Sequence, residues 1–210
     1  MSRMRLIETQ DDLAEGAAYL AGACPVWAKV LPTLGPLPLR RRSDGFEAIA
    51  SAIVGQQISI AAAAAIWKRL EDAGLTDPVA VAAATEEELR AAGLSRPKAR
   101  YLSAIANAQP DWIALRDLPD DAALQQLVAL PGIGIWTAEI YLKFALGRRD
   151  VLAAGDLALQ EAARMMYGLD ARPTPAKLRE MARPWAPWRA VAARGLWAYY
   201  RQAKGREGIQ

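Results

Sequence analysis

Two short stretches carry the residues best placed to do chemistry. The first is Asp150-Val151-Leu152-Ala153-Ala154-Gly155-Asp156-Leu157, where an aspartate closes a loop ahead of an apolar helical run. A carboxylate held there can stabilise a developing positive charge, or orient and deprotonate a water. An aspartate in that position also serves as an ordinary helix cap, and Asp156 can do both. The second is Leu130-Pro131-Gly132-Ile133-Gly134-Ile135-Trp136-Thr137-Ala138, with two glycines between two helical segments. Such glycines permit a hairpin too tight for a Cβ and bare the amides of a helix start, which suit a phosphate oxygen. An ordinary glycine turn between helices fits the same letters.

The rest of the chemical inventory is short. Histidine is absent and Cys24 is the one cysteine. That excludes Ser-His-Asp and Cys-His catalysis, an imidazole metal site, an internal disulfide and a four-cysteine cluster. Cys24 reads as a small residue in an apolar segment. Catalysis must rest on carboxylates, amines, hydroxyls or backbone dipoles.

These residues need helices to position them. Ala and Leu abound and alternating β-branched runs are few, so the chain reads as all-α. Helices are expected over Asp11–Leu20, then Cys24–Leu31 ending near Pro32, then Gly45–Val54 capped by Asp44. Ser59 caps a helix over Ile60–Glu71, and Pro78–Ala84 forms a short one. Thr85 to Glu88 has capping-box spacing, and Gly93 stops the helix it opens. Further helices are expected at Pro97–Ala108, Trp112–Leu115, Asp120–Leu130, Leu157–Tyr167, Thr174–Arg183 and Arg189–Gln202. Gly35 to Leu39 is extended, because proline restricts itself and its predecessor.

With 210 residues, 53% hydrophobic and 23% charged, the chain can bury a core. The N-terminus lacks a secretory h-region, and the apolar run from 48 to 66 is broken by Gln56, Gln57 and Ser59. A cytoplasmic protein, with no membrane association, is the expectation. The pI near 9.1 fits a nucleic-acid binder, although the net charge is only +3. Clustering matters more. Bases gather at 96–100, 143–149 and 189–206, and acids at 8–15 and 86–88. The run Arg40-Arg41-Arg42 reads as a solvated patch.

Five segments, in order, resemble the helix-hairpin-helix DNA glycosylases, and within them the 3-methyladenine DNA glycosylase II branch. They are Ile53 to Ser59 (IVGQQIS), Gly93 to Ala99 (GLSRPKA), Leu130 to Ala138, Asp150 to Gln160, and Pro184-Trp185-Ala186-Pro187-Trp188-Arg189 through Trp197. The resemblance implies two helical lobes with an active-site cleft between them. One lobe would span 44–148 and hold the hairpin. The other would combine 1–43 with 149–210 and carry the catalytic aspartate. It also implies a compact form, without the N-terminal β-domain some relatives have.

Residue by residue, the resemblance makes Asp156 the catalytic carboxylate, stabilising oxocarbenium charge as an N-glycosidic bond breaks. Trp136 stands where strand-cutting relatives place a Schiff-base lysine, and indole has no nucleophilic amine. A monofunctional enzyme without lyase activity is therefore expected. Trp136 and Trp197 would line the base pocket, with Trp197 stacking on a flipped base or attracting a cationic one. Lys143, two turns beyond Trp136, is expected to face elsewhere. Asp150 reads as a surface or structural partner of Arg148 and Arg149. At Ile140 the family often has tyrosine, which bears on lesion range. Gln57, rather than its neighbour Gln56, matches the wedge that fills the space of the extruded nucleotide, although both glutamines could instead cap or bridge buried helix ends. Gly132, Gly134 and Thr137, with Ser95 and Lys98, would hold the DNA backbone. The family's optional monovalent cation, Na+ or K+, would sit on the carbonyls of Val128, Leu130 and Ile133. No other cofactor is required.

The implied activity is excision of alkylated bases such as 3-methyladenine from duplex DNA, by hydrolysis of the glycosidic bond in base excision repair. The implied partner is damaged duplex DNA, bound by a monomer. Two alternatives stay open: a relative acting on deaminated, etheno or oxidised bases, and a module that only binds DNA.

Overall fold

A computed structural model describes residues 6–205. Among these, thirteen α-helices form, with no strand and one isolated antiparallel bridge between Leu6 and Arg148. They are α1 (Gln10–Ala23), α2 (Pro25–Leu34), α3 (Phe46–Val54), α4 (Ile60–Asp72), α5 (Pro78–Ala83), α6 (Glu86–Ala91), α7 (Arg96–Ala108), α8 (Trp112–Asp117), α9 (Asp120–Val128), α10 (Ile135–Phe144), α11 (Leu157–Tyr167), α12 (Pro175–Met181) and α13 (Arg189–Lys204). A 3-10 turn, Arg183–Trp185, precedes α13.

The caps explain most boundaries. Thr85 and Glu88 form the expected capping box at α6. Ser59 accepts the Ala62 amide at α4, and Asp77 accepts those of Val79 and Ala80 at α5. Thr9 and Asp12 make a second capping box that the sequence reading did not anticipate. Two expectations change. α2 runs through Pro32 to Leu34, although Pro32 has no N–H to bond the preceding turn. Asp44 does not cap α3. Gly45 holds that position at φ +91, and Asp44 instead takes a two-point contact from Arg116, at 2.6 and 2.8 Å.

The chain divides into two compact units. One runs from Arg42 to Tyr141, and the other takes the chain up to Arg41 and from Leu142 onward. The expected boundary at 148 thus moves to 141. The physical reason is that residues 142–148 bond within the second of these units. Arg41 donates to the Ala145 carbonyl at 2.9 Å, Ile7 donates to Gly147 at 2.7 Å, and Phe144 stacks on Trp197. Gly147 lies at φ +72, and a Cβ there would meet Arg41 and the Ile7 carbonyl at 2.5 and 2.9 Å.

In the Arg42–Tyr141 unit, α3 and α7 bury Ile49, Ile53, Leu102 and Ile105 against one another, with α5 and α6 packed on α7. In the other unit, α13 is the central helix, packed by α11, α2 and α1. Small residues let these helices approach. A Cβ on Gly16 would lie 2.6 Å from Val191, and one on Gly195 would lie 2.7 Å from Trp27. Trp27 and Trp185 meet edge to face at 5.5 Å in this core. Cys24 joins α1 to α2 with its Sγ 3.5 Å from the Tyr167 hydroxyl.

Candidate active site

Asp156 is the N-cap of α11. Its Oδ1 accepts the amides of Ala158 and Leu159 at 2.8 and 3.1 Å, and the residue is 4% exposed. The loop before it turns through Ala153 at φ +60, a conformation L residues seldom adopt. Three successive carbonyls of that loop are held. Leu152 accepts from Lys143 Nζ at 2.9 Å, Ala153 from the Asp156 amide at 3.0 Å, and Ala154 from Gln160 Nε2 at 2.8 Å. Asp156 is therefore fixed by a braced turn as well as by its own cap. Leu157, beside it, is 61% exposed.

Lys143 does not face away from this segment. Its side chain is buried in the same unit as Asp156, with Nζ 4.4 Å from the Trp197 ring centroid. Trp197 is 2% exposed, stacks on Phe144 at 5.7 Å, and its Nε1 has no hydrogen-bond partner among the described residues. The indole face proposed for a cationic base thus already carries an ammonium. Trp185 and Trp188 are buried in the core of this unit. Asp150 pairs with Arg189 at 3.2 Å, rather than serving only its sequence neighbours.

The remaining expected residues lie in the Arg42–Tyr141 unit. Trp136 is half-buried on the first turn of α10. Gly132 sits at φ +77, and a Cβ there would come within 2.3 Å of the Tyr101 ring. A Cβ on Gly134 would meet nothing within 4 Å, so the tight-hairpin argument holds for Gly132 alone. The Gly134 carbonyl accepts the Ala138 amide, which places it at the start of α10. Ser95 is exposed at the N-cap of α7, and its side chain makes no cap bond.

Two residues expected on the DNA backbone turn inward. Thr137 is 4% exposed, and its Oγ1 accepts Gln56 Nε2 at 3.5 Å. Lys98 Nζ donates to the carbonyls of Val54 and Gln56 at 2.8 and 2.7 Å, and burial pulls its ammonium below the usual lysine range. Gln56 Nε2 also donates to the Gly132 carbonyl at 3.0 Å. Gln57 itself is exposed, at φ +58, beside Ile58 and Ile60, which are 37% and 53% exposed.

Charge is less available than the sequence clusters suggest. Lys143, Arg148 and Arg194 are buried, at 0%, 1% and 1% exposure. Burial, with Arg40 and Arg41 nearby, pushes the Arg194 guanidinium down to about 9. Arg96 and Arg100 share Glu86 at 3.1 and 3.0 Å.

Sequence reasoning missed Lys143 and Gln160 as residues that hold the Asp156 loop, whereas the bridging alternative for Gln56 agrees with its contacts to Gly132 and Thr137. A glutamine or lysine a few positions from an unusual turn is the one signal available, and it is weak.

Among the described residues, no helix is long and apolar enough to cross a membrane, and no group of three His, Cys, Asp or Glu side chains is placed to hold a metal.

The chain is similar to several known proteins along most of its length. It is 25% identical over 198 residues to the alkylbase DNA glycosidase-like protein mag2 of Schizosaccharomyces pombe, covering 89% of this chain and 93% of that one. The structure of S. pombe 3-methyladenine DNA glycosylase (Mag1) in complex with abasic DNA superposes with a TM-score of 0.78 at 27% identity, over 93% of this chain and 100% of that one. The crystal structure of the DNA-3-methyladenine glycosidase of Bacillus halodurans gives 0.80 at 31% identity, over 90% and 89%. Residues 50–187 match the family described as HhH-GPD superfamily base excision DNA repair protein, so the chain belongs to the HhH-GPD superfamily.

Proposed function

We propose that this protein is a monofunctional DNA glycosylase. It takes an alkylated base such as 3-methyladenine out of duplex DNA and hydrolyses its glycosidic bond, beginning base excision repair. The observation that carries the reading is the Asp156 carboxylate, held by two amides and a braced loop at the position that matches the family's catalytic aspartate. Relatives named as 3-methyladenine glycosylases support the lesion class.

The chemistry asks little of the protein beyond placement. A purine alkylated at a ring nitrogen is positively charged and leaves without a general acid, so the absence of histidine is no handicap. Asp156 stabilises the oxocarbenium charge and orients the attacking water. Trp136 offers no amine, and Lys143 is fully buried with Nζ on the Leu152 carbonyl, which supports hydrolysis over imine chemistry. Gln57 is the wedge. The glycine turn amides and Ser95 hold the backbone, while Thr137 and Lys98 support that surface from inside. The Val128 carbonyl closes α9 and those of Leu130 and Ile133 come just after it, where the helix dipole is negative and a Na+ or K+ would be favoured. The protein works as a cytoplasmic monomer, and its partner is damaged duplex DNA.

One observation favours a second reading. The Lys143 ammonium over Trp197 opposes a second cation at that ring, which suits neutral deaminated or etheno bases. Base release from methylated, deaminated and etheno-containing duplexes separates the two. Asp156→Asn is expected to lower release by ~10²–10⁴-fold while keeping duplex binding. Release by Asp156→Asn at the wild-type rate would overturn the assignment, and release of no base by the wild-type protein would leave DNA binding alone.

A further inference from the structure

Gln57 is exposed, is not glycine, and lies in the left-handed region at φ +58. Such a residue persists only when its surroundings over-determine it. The angle φ of Gln57 is set by the peptide plane joining it to Gln56. The carbonyl of that plane receives Lys98 Nζ at 2.7 Å, and the same ammonium holds the Val54 carbonyl, at the end of α3, at 2.8 Å. On the other side, Gln56 Nε2 reaches across 76 residues to the Gly132 carbonyl at 3.0 Å. The tip is thus tied to the start of α7 and to the glycine turn at once.

We propose that Lys98 and Gln56 are positioning residues that hold Gln57 in its left-handed conformation and set the wedge at a fixed offset from the glycine turn. This rests on the reading of Gln57 as the wedge. Lys98 therefore acts through two carbonyls and not through a phosphate. The same device recurs at Ala153: Lys143 Nζ holds the Leu152 carbonyl, which directly precedes that left-handed residue.

The test compares wild type, Lys98→Met, Gln57→Ala and the double variant. The probe is a duplex with a tetrahydrofuran abasic analogue next to 2-aminopurine. Fluorescence reads unstacking, saturating turnover on methylated duplex reads kcat, and binding is followed against salt. Lys98→Met is expected to lower the fluorescence response and kcat by about tenfold, the population a left-handed residue loses when unsupported. Its salt slope should match wild type, and adding it to Gln57→Ala should change neither readout further. A phosphate contact would instead lower the log–log salt slope by about 0.9 and add to Gln57→Ala, overturning the proposal. Gln56→Ala guards against misfolding of Lys98→Met. It should reduce the same two readouts at an unchanged circular dichroism melt, and wild-type values for it would also overturn the proposal. A wild-type protein that releases base without any fluorescence response would remove the wedge, and this proposal with it, while leaving the glycosylase reading in place.

Discussion

Gly132 and Gly134 stand two residues apart in one turn, yet the structure gives them different work. Alanine at 132 places a Cβ 2.3 Å from Tyr101 Cδ2 and 2.6 Å from Cγ, at φ +77. The left-handed conformation costs an alanine ~1–2 kcal/mol, and displacing a packed ring costs ~1–3 kcal/mol. Gly132→Ala should therefore lose roughly 2–5 kcal/mol. For a chain of this length that is a fall of roughly 4–20 °C in melting temperature. Alanine at 134 meets nothing within 4 Å and should melt within ~2 °C of wild type. If the turn amides hold a DNA phosphate, that added methyl stands in the phosphate's place. Binding to an abasic duplex should then weaken about tenfold with the fold intact. Thermal melts and binding isotherms on both variants decide the matter. The steric reasoning is refuted if Gly132→Ala melts with wild type. The phosphate reasoning is refuted if Gly134→Ala binds with wild-type affinity. Gly132→Ala with Tyr101→Ala should recover the part of the loss that comes from the ring, leaving the backbone part.

Other consequences can be measured separately. Asp156→Asn keeps an acceptor oxygen for the Ala158 and Leu159 amides and should melt within ~2 °C of wild type, whereas Asp156→Ala loses the cap, about 1 kcal/mol or roughly 2–4 °C. Lys143→Met removes the ammonium over Trp197 and should raise the ratio of kcat/KM for 3-methyladenine to that for hypoxanthine by a few-fold or more; an unchanged ratio would show that the ring does not meet the base. Burial pushes the Tyr141 phenol from 10.0 up to about 12. The folded state then favours the protonated phenol, so this contribution is intact below pH 10 and is lost as pH rises toward 12, a loss that Tyr141→Phe should abolish in alkaline melts and that tyrosinate absorbance should track in the wild type.

Much of the fold was legible because caps are local. Thr85 with Glu88, Ser59 and Asp156 each announce a helix within four residues, and each caps as read. Pro32 and Asp44 misled for the complementary reason, since their outcomes are not set by near neighbours: α2 continues past the proline, and a distant Arg116 takes the aspartate. The site divides along the same line. The roles proposed for Asp156, Gln57 and the glycine turn rest on residue type, spacing and resemblance. The directions of Lys98, Thr137 and Lys143 do not, since a cation beside a motif looks the same whether it meets solvent or a buried carbonyl 44 residues away, as Lys98 meets Val54. The left-handed backbone of Gln57 and Ala153 left no trace either, because neither is a glycine.

The order in which the chain is written down by the ribosome gives the split unit a particular history. α1 and α2 emerge early, but α13, against which both pack, emerges last. Until then Trp27 lacks Gly195, against which it packs. The stretch from Arg42 to Tyr141 is contiguous, so helices that pack within it, such as α3 and α7, are together as soon as it clears the tunnel. Synthesis therefore favours completing the turn-bearing unit first, while the N-terminal helices wait with apolar faces bare, and a slow codon run late in the message would lengthen that exposure and the need for a chaperone.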